Sequence, residues 1–364
     1  MNPVNGKKIN ARPGRPAPVT LKAVAERVGL TPGTVSAVLN DSPASRSVPD
    51  RTKTRIFAAA RELNYRPNFL ARALRVNRTN TLGVIAAEIG DPYGSTVISG
   101  IEDYLRRHDF FYLTVAHRHD KKLLESYTQL LLQRGVEGFI TIDTSIDQSP
   151  ALPTVAIAGH QAVEGVTNIV IDHTKAARLA LQHLFDLGHR DIAFMKGPRI
   201  SSDAEDRWSS INVIARELGL FVQPALTVEL EGEDAARAPE NAIPCAKELL
   251  GRKHHFTAVF AYNDNAAVAM LRVTQEAGLR IPGDISVVGF DDIHAAAYTN
   301  PPLTTVRQPL RKMGEIAART LLDCIEGRGE YVAEIAIEPQ FIIRESSGKG
   351  PFAPPMSQDA ALAS

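Results

Sequence analysis

Cysteine and tryptophan are nearly absent from this chain of 364 residues: two cysteines, Cys245 and Cys324, and a single tryptophan, Trp208. Neither cysteine lies in a partnering motif, which excludes a disulfide scaffold; both are expected as buried free thiols in a reducing cytoplasm. No apolar run approaches the roughly 20 residues that span a bilayer. Nothing apolar follows Lys7, Lys8 and Arg12 either, so neither a membrane span nor a secretory leader is expected. A phosphate loop, a nucleophile elbow and zinc-ligand spacing are all missing, which leaves no catalytic constellation and no cofactor to assign. His117 with His119, and the adjacent His254 and His255, lack converging Cys or carboxylate ligands, so no metal is expected there. Net charge is missing too, with 41 Lys and Arg against 41 Asp and Glu.

That neutrality conceals an asymmetry. Residues 1–78 hold 15 Lys and Arg against four Asp and Glu, a net +11, and the rest of the chain holds 26 against 37, a net −11. A strongly basic end is suited to phosphates, and an acidic body stays off nucleic acid. The length suggests two or three domains, and 44% hydrophobic residues allow a full core beyond the basic segment.

The basic segment has the punctuation of a helix-turn-helix. Thr20 is placed to cap a first helix that turns Leu21, Val24, Ala25 and Val28 inward, and Gly29 supplies a left-handed turn position. Thr31 caps a second helix with Pro32 in its first position, followed by Val35, Val38 and Leu39 at helical spacing. A third helix opens at Pro49 with Asp50 in its first turn and buries Ile56, Ala60 and Leu63. The second helix is expected to lie in the major groove of DNA.

Several stretches resemble, in order, the headpiece of the lactose/galactose-repressor (LacI/GalR) family: Thr20-Leu21-Lys22-Ala23-Val24-Ala25, Gly29-Leu30-Thr31, Thr34-Val35-Ser36, Val38-Leu39-Asn40, Leu63-Asn64-Tyr65-Arg66-Pro67-Asn68 and Ala71-Arg72-Ala73-Leu74. The likeness extends to about Ser346. It implies a DNA-contacting set of Thr20, Thr31, Pro32, Gly33, Thr34, Ser36, Ala37, Asn40, Tyr65, Asn68, Ala71, Arg72, Leu74 and Arg75. Leu74 matches the leucine that the family wedges into the minor groove at the operator centre. Asn68 to Val76 is long enough for about two helical turns, which are marginal in water and are expected to fold only on DNA, beside a twin.

This chain departs from the family at the reading helix. Pro32 and Gly33 stand where members present two side chains to base edges, and Ala37 replaces an expected Arg. Direct readout then rests on Thr31, Thr34, Ser36 and Asn40, with more weight on DNA shape and the central kink. A second departure is Ala11-Arg12-Pro13-Gly14-Arg15-Pro16, whose Gly-Arg-Pro core suits a narrow A/T minor groove; a plain basic leader is the alternative.

From Thr81 onward, strand-length apolar runs alternate with amphipathic helices, the pattern of a parallel sheet covered on both faces. Expected strands are Leu82 to Ala87, Phe111 to Val115, Gly138 to Ile142, Val155 to Ala158, Ile169 to Ile171, Ile192 to Met195, Ala258 to Ala261 and Ile285 to Gly289. The resemblance implies an α/β body of two doubly wound subdomains joined by three crossings, as in periplasmic sugar-binding proteins. The expected segments are a basic arm at 1–18, a headpiece at 19–66, a hinge at 67–79 and a body at 80–346. Within the body, subdomain one covers about 80–175 and 308–335, subdomain two about 176–307 and 336–346. Residues 347–364 are expected as a loose tail.

Ligands of such folds sit beyond the carboxyl ends of the strands. That rule singles out Asp91, Tyr93, Asp172, Asn263, Asp264 and Asp291, with Arg207 and Trp208 opening the helix after Gly197-Pro198. An Asp after a strand also commonly caps the next helix. The resemblance implies that Arg207 and Asp291 form the effector-binding pair. A guanidinium and a carboxylate chelate vicinal hydroxyls, and Tyr93 and Trp208 are candidates to stack on a sugar ring. Gly188-His189-Arg190 is expected to turn and pack.

The expected function is therefore a cytoplasmic, ligand-responsive transcription repressor. It would bind double-stranded, palindromic operator DNA as a homodimer and a small carbohydrate effector in the cleft, with no enzymatic activity and no membrane partner. A transport-type sugar-binding protein shares the cleft but needs a leader and has no use for a +11 headpiece. Whether the effector releases or loads the repressor stays open, as does dimer against tetramer.

Overall fold

The computed structural model describes residues 19–66, 78–159, 162–199, 201–231, 238–252 and 254–352. The arm from Arg12 to Pro16, the hinge positions Asn68, Ala71, Arg72, Leu74 and Arg75, and the chain beyond Phe352 lie outside them. Two units separate at residues 79 and 80, a headpiece and a body, each with its own core.

The headpiece is three helices, α1 (Leu21–Val28), α2 (Pro32–Leu39) and α3 (Asp50–Glu62), with a short 3-10 turn at Pro43–Ser47. Thr20 and Thr31 cap α1 and α2 as their sequence positions suggest, accepting from the Ala23 and Thr34 amides. Gly29 adopts φ +69°, so its amide closes the end of α1 on the Glu26 carbonyl, and Leu30 on that of Ala25. Val24, Val35 and Ile56, one from each helix, are fully buried together, with Leu21, Leu39, Leu63 and Tyr65 packed around them.

The body holds two six-stranded sheets, with orders β11-β5-β4-β3-β1-β2 and β12-β10-β9-β8-β6-β7. The first comprises β1 (Thr81–Ala86), β2 (Phe111–Ala116), β3 (Phe139–Ile142), β4 (Thr154–Ile157), β5 (Val166–Ile171) and β11 (Glu334–Ile337), all parallel. The second comprises β6 (Ile192–Lys196), β7 (Thr227–Glu229), β8 (Ala258–Ala261), β9 (Ser286–Asp291), β10 (Thr304–Arg307) and an antiparallel edge, β12 (Gln340–Ile342). All eight expected strands are present; β7, β10, β11 and β12 are additional. Helices α4 (Pro92–Arg107) and α10 (Leu310–Ile325) pack together on one face of the first sheet, and α5 (Lys121–Gln133) lies on the other. The second sheet carries α6 (His173–Asp186) and α7 (Ser202–Glu217) on one face, α8 (Pro239–Gly251) and α9 (Asp264–Glu276) on the other.

The chain passes between the sheets three times: after β5, between β10 and α10, and between β11 and β12. The first crossing falls at Asp172 rather than near 175, because Ala176, Ala177 and Ala180 of α6 are already in the second core. The third falls after Ile337, because β11 still pairs with β5 through that residue.

Two expectations are corrected. Residues 347–352 are not a loose tail: the Gly350 amide donates to the Leu187 carbonyl, the Gly348 amide to Ser286 Oγ, and the Gly348 carbonyl lies 3.0 Å from His189 Nε2. Cys324 is exposed and Cys245 only half-buried, both unpaired. His189 is buried, with Nδ1 at 2.8 Å from Thr257 Oγ1, a packing role.

Candidate effector cleft and DNA-reading headpiece

Asx residues cap the helices that follow several strands, and this local chemistry sets the cleft. Asp91 accepts from the Tyr93 and Gly94 amides, and Asn263 from the Ala266 amide. Both residues are thereby fixed at the carboxyl ends of their strands while still lining a cavity of about 90 Å³ between the two sheets. The first sheet contributes Asp91, Tyr93, His119, Asp143 and Ala158 to its wall; the second contributes Pro198, Ser201, Asp203, Arg207, Tyr262, Asn263 and Asp291, with Gln308 from the second crossing.

Arg207 is buried, and its guanidinium carbon lies 3.6 Å from the Phe290 ring centre and 4.5 Å from that of Tyr262. One terminal nitrogen donates to the Tyr262 carbonyl, the other to Asp203 at 3.5 Å. The Tyr262 ring fits there because residue 197 is glycine: a Cβ at that position would come within 2.3 Å of the ring. Asp291 accepts from Gln308 Nε2 at 2.7 Å. Burial pushes its carboxyl well above the usual range, against the opposing pull of Arg207. Burial and the surrounding carboxylates likewise raise the Tyr93 and Tyr262 phenols, so both hydroxyls stay protonated. Tyr93 Oη, Arg207 Nε and Gln308 Oε1 are buried without a hydrogen-bond partner. Such atoms are costly to leave unpaired, and a ligand carrying both donors and acceptors satisfies all three.

Five sequence-predicted residues thus meet at the cavity: Asp91, Tyr93, Arg207, Asn263 and Asp291. Three do not. Asp172 caps α6 by accepting from the Lys175 amide, at the first crossing. Asp264 is fully buried behind the wall, accepting from the Ile293 amide at 2.8 Å and Thr305 Oγ1 at 2.6 Å, and burial raises its carboxyl to about 7. Trp208 follows Arg207 by one residue, about 100° around the helix. It packs edge-on to Phe194 with Lys196 near its face, and it is not among the residues lining the cavity.

Sequence reasoning missed Asp143, Asp203, Tyr262 and Gln308. Asp143 directly follows β3, so the post-strand rule applied uniformly would have found it, and Asp203 precedes Arg207 by one helical turn. His119 was weighed only as half of a histidine pair. The two rings stand 5.6 Å apart edge to face, but His117 Nδ1 accepts the His119 amide and its Nε2 meets Thr144 Oγ1. Among the described residues, no group of three or more His, Cys, Asp and Glu is placed to hold a metal ion.

In the headpiece, Thr31, Pro32 and Gly33 are exposed, and Thr34 is partly so at 2.9 Å from the Thr31 hydroxyl. Ser36 is corrected: it is buried at 6% exposure and cannot present its hydroxyl to a base edge. Asn40 turns back on the same helix, its Nδ2 donating to the Ser36 carbonyl at 2.8 Å. Exposed Arg46, Arg51, Arg61 and Arg66 supply phosphate-seeking charge.

Comparison with known proteins decides between the uses of this architecture. Residues 20–68 match the family described as bacterial regulatory proteins, lacI family, and residues 181–347 match the periplasmic binding protein-like domain. The chain is 31% identical over 344 residues to the HTH-type transcriptional repressor PurR of Proteus mirabilis, covering 92% of this chain and 98% of the relative. It belongs to the LacI family. A Serratia proteamaculans PurR is 32% identical over 344 residues, covering 92% of this chain and 98% of that one. The lac repressor dimer bound to operator and the anti-inducer ONPF aligns with a TM-score of 0.81 at 26% identity, over 91% of this chain and 99% of that one. A CelR–cellobiose complex aligns with a TM-score of 0.66 at 28% identity, over 90% and 100%. This LacI-family chain is therefore a DNA-binding transcriptional repressor under small-molecule control. Among its described residues, no helix is long and apolar enough to cross a membrane.

Proposed function

We propose that the effector is a sugar or sugar derivative held between the two sheets by Arg207 and Asp291, with Asp91, Tyr93 and Asn263 completing the polar contacts. The observation that carries this reading is that Tyr93, Arg207 and Gln308, each with a buried polar atom that has no hydrogen-bond partner, all line one small cavity rich in carboxylates. Alternating donors and acceptors of this kind match vicinal hydroxyls. Arg207 already occupies one face of Phe290 and one of Tyr262, which disfavours a flat aromatic ligand stacked on those faces. A cavity of about 90 Å³ is tight, so entry requires the subdomains to part about the three crossings.

In this reading the protein is a cytoplasmic homodimer without enzymatic activity. Paired hinge segments around Leu74 wedge the centre of a palindromic operator, and ligand-driven closure changes whether they pair. The test is selection of bound duplexes from a random library with the full-length protein, followed by calorimetric titration with neutral mono- and disaccharides. A palindrome with a flexible central step, and a sugar that shifts operator affinity in either direction, support the proposal. Unsymmetrical A/T tracts, or a panel of sugars with no heat of binding, refute it.

A further inference from the structure

Six strands form the first sheet, yet among the described residues α5 is the one helix on its face opposite α4 and α10, over β1 and β2. Beside it, over β3 and β4, a groove of about 620 Å³ remains open, a size typical of small-molecule sites. Apolar side chains of Ile85, Leu124, Leu132 and Phe139 form one flank. In its floor stands Thr141, 4% exposed, whose hydroxyl is buried without a hydrogen-bond partner. A threonine on a buried strand face is ordinarily satisfied by a neighbour; Thr141 shares its strand face with Phe139, two residues before it, and both line the groove.

Thr144, from the same lining, links this groove to the effector cavity. The His119 amide donates to His117 Nδ1 at 3.1 Å, which puts the proton of the neutral ring on Nε2, 3.0 Å from Thr144 Oγ1. The Thr144 hydroxyl in turn donates to the Ile142 carbonyl at 2.9 Å. His119 and Asp143, which precedes Thr144, both line the effector cavity. The two spaces therefore lie on opposite sides of one hydrogen-bonded strand end.

We propose that this groove is a second ligand site, for a small uncharged amphiphile whose apolar body lies on the Ile85–Phe139 flank and whose polar group meets Thr141 Oγ1. Its occupancy is transmitted to the effector cavity through Thr144, His117 and His119. The rim carries Lys121 paired with Asp147 at 3.4 Å, and Glu125, so it offers no cationic excess to hold a phosphate or carboxylate.

The probe is benzyl alcohol, titrated into the full-length protein with methyl-labelled isoleucine and threonine and ring-labelled histidine. Saturable shifts are expected at the Ile85, Ile146 and Thr141 methyls, with a smaller shift at His119. Thr141→Val keeps the shape and removes only an unsatisfied hydroxyl, so it is expected to fold and to bind about fivefold more weakly, the worth of one hydrogen bond. Thr144→Val is expected to leave the methyl shifts in place and abolish the one at His119. The proposal is overturned if the three methyls do not respond, as when a second copy of the chain covers the groove, or if Thr141→Val binds as tightly as the parent. Neither operator nor sugar enters the experiment, so its outcome is independent of the effector assignment.

Discussion

The guanidinium of Arg207 lies over the ring of Phe290, with 3.6 Å between its central carbon and the ring centre, and the same carbon lies 4.5 Å from the centre of the Tyr262 ring. A lysine keeps the charge but cannot lie as a plate between two rings. Arg207→Lys is expected to weaken effector binding by well over about tenfold while operator binding persists. Arg207→Ala also strips the cation from half-buried Asp203 and buried Asp291 and is expected to cost on the order of 3 kcal/mol in chemical denaturation. Unchanged effector affinity in Arg207→Lys would remove this residue from the site.

Gly197→Ala places a methyl where the Tyr262 ring now lies. The ring has to move, taking with it one face of the Arg207 sandwich. A loss of about 1–3 kcal/mol in stability is expected, as for other overpacked positions. Effector affinity should fall with it, read by calorimetry beside the parent protein.

Asp264 gives the body a pH signature. Its folded carboxyl is raised by burial from 3.8 to about 7, so the folded state holds a proton that the unfolded chain gives up. The stability tied to that proton is complete below pH 4 and is lost as pH rises towards 7. The melting temperature of the parent is therefore expected to fall relative to Asp264→Asn between pH 4 and pH 7. Parallel curves for the two proteins across that window would contradict the assignment.

Asn40→Ala removes a bond that ties α2 to itself. A small loss of headpiece stability, about 1 kcal/mol or less, is expected with no change in the selected operator bases. Thr34→Ala, on the exposed start of the helix, is expected to alter base preference. The reverse pattern in duplex selection would reassign Asn40 to base reading.

Deleting residues 1–17 removes Lys7, Lys8, Arg12 and Arg15. If these contact phosphate or the minor groove, the logarithmic salt dependence of operator binding flattens by about 0.9 for each one engaged. We expect lower affinity and a shallower slope; equal slopes for the two proteins would reduce the arm to a leader.

Local chemistry made much of this molecule legible in advance. Caps at Thr20 and Thr31 and the turn at Gly29 are written in side chains that act within three or four residues, and buried parallel strands announce themselves as unbroken apolar runs. Two short strands are hidden for the opposite reason: β11, at a sheet edge, alternates half-buried and exposed residues, and β10, inside its sheet, begins with two threonines and ends in Arg307. Orientation within a known element was harder still. Arg207 enters the cavity and Trp208 does not, and Ser36 faces the headpiece core; each outcome depends on a single step around a helix. Asp91 and Asp264 both follow strands, yet only the packing of Thr305 and the Ile293 amide against Asp264 tells the wall from what lies behind it.

The three crossings also order events at the ribosome. The headpiece core is complete once Tyr65 has been made, whereas the two sheets wait for their last strands at Glu334–Ile337 and Gln340–Ile342. At about 5–20 residues per second, a nascent chain carries a finished headpiece core for on the order of tens of seconds before its effector cleft can close. During that interval no effector governs it, and a single truncation near residue 330 would leave both halves of the body unfinished at once.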